Sequence, residues 1–381
     1  MKQIFKLIGG LLVGAAIGFS ISTLFVVLAT DLTLTEFLAK FKSIDFLEIS
    51  GIILFSIASF AIAVSVHIVC HEGGHLIAGL LSGYKFISFR IFNFTLLKSN
   101  GKYRLKRFKI AGTGGQCLLT PPDRPVEEIN TNLYNAGGFL VNLILSAVAI
   151  TLFFLCSAPL AKTFCFIFAL TGLFMAIING IPVKVGGMTN DGYNIKMLNK
   201  NLSAKRAMCI QLWANALIQE GVRPSTMNKE WFETAEENFD YSDHIQLTTK
   251  LMKASYVMDC GNMEEAHQIL AEAWNNRDKI IPLFVKEIAC ELIFTSLTTG
   301  RIEFAKELLT EEIKKYLEQY RKVMSSKERI LFAIELLLNH NTAAAQEILN
   351  SLINRKEQYL LQGEVNMDIG LCEELVRGYD S

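Results

Sequence analysis

Charge is missing from long stretches of this chain. Residues 7–30, 133–158 and 163–183 contain no Asp, Glu, Lys or Arg, and residues 49–82 contain only Glu72. Each stretch is close to or above the roughly 20 residues that carry a helix across the hydrocarbon core of a bilayer. With 51% hydrophobic residues and a mean hydropathy of +0.32, the composition excludes an ordinary water-soluble protein. Paired cysteines are missing too. Eight are scattered along the chain without one C-x-x-C, which supports neither a zinc finger nor a disulfide framework.

A net charge of zero conceals two unlike halves. Residues 1–200 hold 17 Lys and Arg against 9 Asp and Glu, whereas residues 201–381 hold 20 against 28. A basic membrane half is joined to an acidic soluble half. The first apolar segment, 7–30, is too long for a usual signal peptide and reads as a membrane anchor. Nine cations lie in the long loop from Tyr84 to Asn132, two precede the first segment, and Lys184 and Lys196 follow the fourth. By the positive-inside rule both termini and that loop face the cytoplasm of a multi-pass cell-membrane protein. Beside a membrane, the basic strip in the loop reads as a topology and lipid-headgroup signal rather than a nucleic-acid site.

The expected organisation is an N-terminal membrane helix and external loop (1–48), a membrane core (49–199) and a cytoplasmic α-helical domain (200–381). The fold class is all-α and polytopic, with one small β element. Alternation in Phe86–Phe92 and Tyr103–Phe108, with Ser99-Asn100-Gly101 between them, predicts a β-hairpin. In the tail, Ala266, Ala305 and Ala345 recur at spacings of about 40 within similar octapeptides, as in stacked helical-hairpin (TPR-like) repeats. An irregular helical bundle is the alternative.

The one charged interruption of the apolar stretches is His71-Glu72-Gly73-Gly74-His75. Imidazoles four apart share a helix face and reach one Zn²⁺. Glu72 between them can act on a water at that metal without ligating it. Ionisable groups are expensive inside a bilayer, so their presence points to function. A third ligand must come from elsewhere in the chain, and Asp191 is the best candidate. It follows the last apolar segment through Asn179-Gly180-Ile181-Pro182 and Gly186-Gly187, where Pro and Gly break the helix and let irregular backbone line a cavity. Asp123, Glu127 and Glu128 are rival carboxylates. His67 lies one more turn upstream on the His71 face, and packing or a hydrogen bond is its expected role. Gly73, Gly74 and Gly79 are expected to pack against Gly137 and Gly138.

The combination resembles the site-2 protease (M50-like) family of intramembrane zinc metalloproteases. That family carries H-E-x-x-H in one membrane helix and N-x-x-P…D-G at the end of a later one. The resemblance covers residues 50–200 and implies Zn²⁺ bound by His71, His75 and Asp191, with Glu72 as catalytic base. It assigns Asn179 and Pro182 to a substrate-facing element. Gly112–Gln116 resembles the family's glycine-rich strand, and Asn135-Ala136-Gly137-Gly138…Asn142 its A-G-P-x-x-N helix start, with Gly138 where proline is usual. Eight residues, Val183 to Asn190, separate Pro182 from Asp191, more than the family's common spacing. No PDZ-like insert is present. The implied activity is a zinc metalloendopeptidase cutting a membrane-protein or peptide substrate in the lipid bilayer, with the helical tail open to a protein partner. The alternative is a non-catalytic membrane adaptor with a residual metal site.

Overall fold

The computed structural model describes residues 33–36, 39, 45–99, 102–107, 114–185, 188–233 and 239–379. The expected first membrane segment, 7–30, lies outside them. By internal contacts the chain divides into residues 1–62 and 63–381. In the first unit the described residues are chiefly the start of a long helix, α1 (Phe46–Leu81). The second unit holds the rest of α1 and everything that follows.

Three helices are long and apolar enough to cross a membrane: α1, α2 (Asn132–Leu155) and α3 (Pro159–Gly180). In a bilayer a helix satisfies its own backbone hydrogen bonds, which is why such segments take this form. At 1.5 Å per residue the 36 residues of α1 extend about 54 Å. Most large apolar side chains left exposed by the fold sit on these helices, among them Ile57, Phe60, Ile144, Phe154 and Phe174. Such a concentration needs an apolar solvent. α1 stops at Gly83, whose φ of +85° gives the left-handed residue of a Schellman cap. Gly83 N–H donates to Leu80 C=O and Tyr84 N–H to Gly79 C=O.

The cap delivers the chain into a four-stranded antiparallel sheet: β1 (Lys85–Ile91), β2 (Phe94–Ser99), β3 (Lys102–Arg107) and β4 (Gly115–Thr120), in the order β3-β2-β1-β4. The expected hairpin is thus incomplete. Ser99-Asn100-Gly101 joins β2 to β3, while β1 and β2 are joined by a second turn at Phe92-Asn93. That turn escapes sequence reading because Phe92 adopts φ +50°, a conformation bulky residues rarely take. It continues the apolar alternation instead of interrupting it.

α2 and α3 pack along each other. Between α3 and α4 (Asp191–Lys200) the eight-residue spacer folds into a short hairpin, β5 (Lys184–Val185) with β6 (Met188–Thr189). Beyond α4 the chain is helical: α5 (Leu202–Gln219), α6 (His244–Asp259), α7 (Met263–Asn275), α8 (Pro282–Thr298), α9 (Ile302–Leu308), α10 (Glu311–Tyr320), α11 (Ser325–Ala333), α12 (Thr342–Asn354) and α13 (Gln362–Tyr379). Ala266, Ala305 and Ala345 are buried on α7, α9 and α12, and α6 to α9 pack in sequence order. Other contacts depart from neighbour order, α8 with α11 and α13 with α5, so the tail is helical without being shown to be a TPR-like array.

The tail is tied to the sheet at both edges. α5 packs on β4, and Trp213 Nε1 donates to the carbonyl of Pro121 just beyond it, at 3.1 Å. On β3, Lys106 Nζ donates to the carbonyls of Glu357 (2.7 Å) and Tyr359 (2.6 Å).

Of the glycines expected to pack across the helices, Gly74 meets Gly137, Gly79 meets Leu119 and Tyr134, and Gly73 faces open space. A Cβ on Gly137 would lie 2.3 Å from the Gly74 carbonyl oxygen, which is backbone and cannot step aside. Gly137→Val should therefore force α1 and α2 apart, at about 1–3 kcal/mol or more for overpacking. The expected outcome is a lower thermal unfolding midpoint for the detergent-solubilised chain, with Gly73→Ala close to wild type.

Candidate metal centre

His71 and His75 face each other one turn apart on α1. Their rings meet edge to face with centroids 4.7 Å apart, and the two Nε2 atoms are separated by 3.1 Å. Asp191, the first residue of α4, brings Oδ2 to 3.4 Å from each of those nitrogens. One ligand atom from each residue lies within 4.8 Å of the others, and this is the one such His/Cys/Asp/Glu group among the described residues. Asp123, Glu127 and Glu128 are not part of it.

His75 Nδ1 lies 2.7 Å from the Tyr134 carbonyl oxygen. A carbonyl only accepts, so Nδ1 carries the proton and the neutral ring turns its Nε2 lone pair inward. Asp191 Oδ2 is buried and has no hydrogen-bond partner among the described residues. Lone pairs thus converge on one point in a largely dry place, which fits a divalent cation. Two imidazoles and one carboxylate, with a position left open, are a donor set typical of catalytic zinc.

Backbone shape makes the cluster fit. A Cβ on Gly138 would fall 2.5 Å from both His71 Cε1 and His75 Nε2. α2 therefore offers bare backbone where the rings sit, at the position where the resembling family usually has proline. Asp191 arrives through Asn190. The Asn190 side chain caps α4 by accepting from Tyr193 N–H at 2.9 Å, and it also accepts from Val183 N–H at 3.1 Å. Its amide group donates to the carbonyls of Ile178 (2.6 Å) and Ile181 (2.5 Å), at the end of α3. One side chain thereby joins the end of a membrane helix to the start of the next helix, and the long spacer loops out as the β5–β6 hairpin.

Glu72 stands beside the cluster without joining it. β4 rests on its side chain: a Cβ on Gly115 would lie 2.5 Å from Glu72 Cγ and 2.8 Å from Oε1. Arg90 on β1 is buried and donates to the Gly115 carbonyl at 3.2 Å, holding β4 in place. Burial pulls its guanidinium below the ordinary value, and the Glu72 charge opposes that pull. Sequence reading counted Arg90 only as a topology charge. Asn179 lies on the last turn of α3, donating to the Met175 carbonyl at 2.9 Å, and Pro182 is exposed just beyond. Neither belongs to the His-His-Asp group. Tyr134 and Asn190 had no sequence signal beyond their neighbourhood; Asn142 lay in the motif-like stretch without an assigned contact, and Gly138, expected to meet the α1 glycines, meets the two histidine rings instead.

Replacing Asn190 with Ala removes the donors for two carbonyls at the end of α3 and loosens the path of Asp191. Loss of such supporting contacts typically costs about 10–100-fold in metal affinity. Chelator competition on the purified chain should show a loss in that range. Asn201→Ala, which removes the cap of α5, should leave metal affinity unchanged.

No curated protein and no solved structure matches the chain. The profile described as Peptidase family M50 matches residues 59–357. The match takes in both histidines, Glu72, the sheet, Asp191 and most of the helical tail, and so reaches well beyond the stretch whose motifs resemble that family. The chain belongs to peptidase family M50, the site-2 protease family of membrane metallopeptidases.

Proposed function

We propose that this protein is an intramembrane zinc endopeptidase that cuts a transmembrane or membrane-proximal segment of another protein or a peptide. The observation that carries this reading is the convergence of His71, His75 and Asp191 on one point beside Glu72, with both histidines and Glu72 on a helix apolar enough to span a membrane. Zinc held by those three residues would supply a Lewis acid that lowers the pKa of a water and polarises the scissile carbonyl. Glu72 takes the proton from the attacking water and delivers it to the leaving amide nitrogen. Its carboxylate is free for this work because the ligand set is complete without it.

A helical substrate hides its carbonyls in its own hydrogen bonds and must be extended first. β4 is bonded to β1 on one side and lies at the sheet's edge. In this reading the substrate adds to that edge as a strand, which brings its backbone past Gly115 and Glu72. The edge next to Glu72 is β4, which begins at Gly115 within the stretch that resembles the family's glycine-rich strand. Asn179 and Pro182, at the end of α3, line the far side of the substrate path. The termini and the sheet face the cytoplasm, as the loop charges indicate, and the helical tail receives a protein partner there.

Glu72→Gln removes the base and retains size and ligands. Cleavage of a transmembrane reporter should fall by about 10²–10⁴-fold, with zinc per mole of protein unchanged. Undiminished cleavage by this variant would defeat the mechanism and favour an adaptor.

A further inference from the structure

His67 is fully buried one turn before His71, and no part of the mechanism above uses it. Its Nε2 lies 3.1 Å from the Phe168 carbonyl oxygen on α3, and its Nδ1 lies 3.1 Å from Oδ1 of Asn142 on α2. The other end of that amide, Nδ2, lies 3.3 Å from His71 Nδ1. Asn142 is itself fully buried. α3 makes space for the ring: a Cβ on Gly172 would fall 2.1 Å from His67 Cε1. The three helices are thus built around one polar chain.

Its hydrogens can be assigned from the ends inward. The Phe168 carbonyl only accepts, so His67 carries its proton on Nε2 and leaves a lone pair on Nδ1. That lone pair needs a donor, and the Asn142 NH₂ is the group in reach. The two ends of an amide have the same shape and are assigned by their partners. With NH₂ toward His67, the Asn142 carbonyl faces His71 and takes a proton from His71 Nδ1. His71 then turns an Nε2 lone pair toward Asp191 and His75. The opposite amide orientation would set the His67 Nε2 lone pair against the Phe168 carbonyl. It would also move the His71 proton onto Nε2, into the cluster.

We propose that His67 is a positioning residue that acts through Asn142 to fix His71 in the tautomer able to bind a metal. The proposal rests on the metal reading of the cluster. His67 touches neither metal nor substrate in it. The chain Phe168 C=O, His67, Asn142, His71 is the counterpart of the Tyr134 carbonyl that fixes His75 directly.

The test uses the full chain in detergent. With ¹⁵N-labelled histidine, nuclear magnetic resonance should show His67 protonated at Nε2 and His71 at Nδ1 in the zinc-loaded protein. A proton on Nδ1 of His67 overturns the proposal without any variant being made. His67→Phe, which keeps a ring but removes both polar ends, should weaken zinc about 10–100-fold in chelator competition. It should also alter the visible spectrum of the cobalt-substituted protein. His67→Gln retains a donor and an acceptor and should restore affinity to within about threefold of wild type, as expected when hydrogen bonding rather than volume decides the effect. If His67→Phe binds zinc and cobalt like wild type, the relay is wrong. His71→Ala separates the two readings, because metal retained in that variant would sink the metal centre itself.

Discussion

Three lone pairs aimed at one point inside an apolar helix bundle form an arrangement that repels itself. His71 Nε2, His75 Nε2 and Asp191 Oδ2 lie within 3.4 Å of one another, and the carboxylate oxygen has no hydrogen-bond partner among the described residues. Burial of unpaired polar and charged groups is costly. A bound cation would turn that cost into binding energy, and the rest of the membrane core is shaped to keep the three atoms together.

That shape is made largely of absent side chains and shared amides. Gly74 and Gly137 let α1 and α2 approach backbone to backbone, and Gly138 leaves room for both rings. Two carboxamides then fix what the glycines allow. Asn142 lies between His67 and His71, and Asn190 links the end of α3 to the start of α4. In a low-dielectric interior each such bond is stronger than in water, and each unsatisfied one is more expensive. Buried amides of this kind therefore specify a single arrangement. The sheet contributes on the other side, where Arg90 holds the β4 backbone against Glu72. Through α5 on β4 and Lys106 on β3, the helical tail is in mechanical contact with that same sheet.

Legibility varied with the range of the interaction. The apolar stretches were readable because a bilayer-spanning helix writes its own pattern in consecutive residues. The His71–His75 pair was readable because four residues is one helical turn. The β region was half readable: its strands alternate, but the turn at Phe92-Asn93 uses a residue type that normally avoids positive φ. Arg90 looked like any other loop cation, since nothing local distinguishes a buried arginine from an exposed one. The tail repeat was seen as three alanines, which are indeed buried, yet contacts such as α13 with α5 join helices far apart in sequence and leave no periodic trace.

What the sequence determined by itself is the chemistry within one turn of one helix: two imidazoles on a common face, a carboxylate between them, and apolar flanks that exclude water. Where Asp191 ends up, which way Asn142 presents its amide, and which strand lies against Glu72 were decided only when α1, α2, α3 and the sheet packed together. Helical periodicity is a property of neighbours along the chain. The meeting of Asp191 with residues more than a hundred positions away depends on loop geometry, close backbone approach and hydrogen bonds that exist only in the assembled fold.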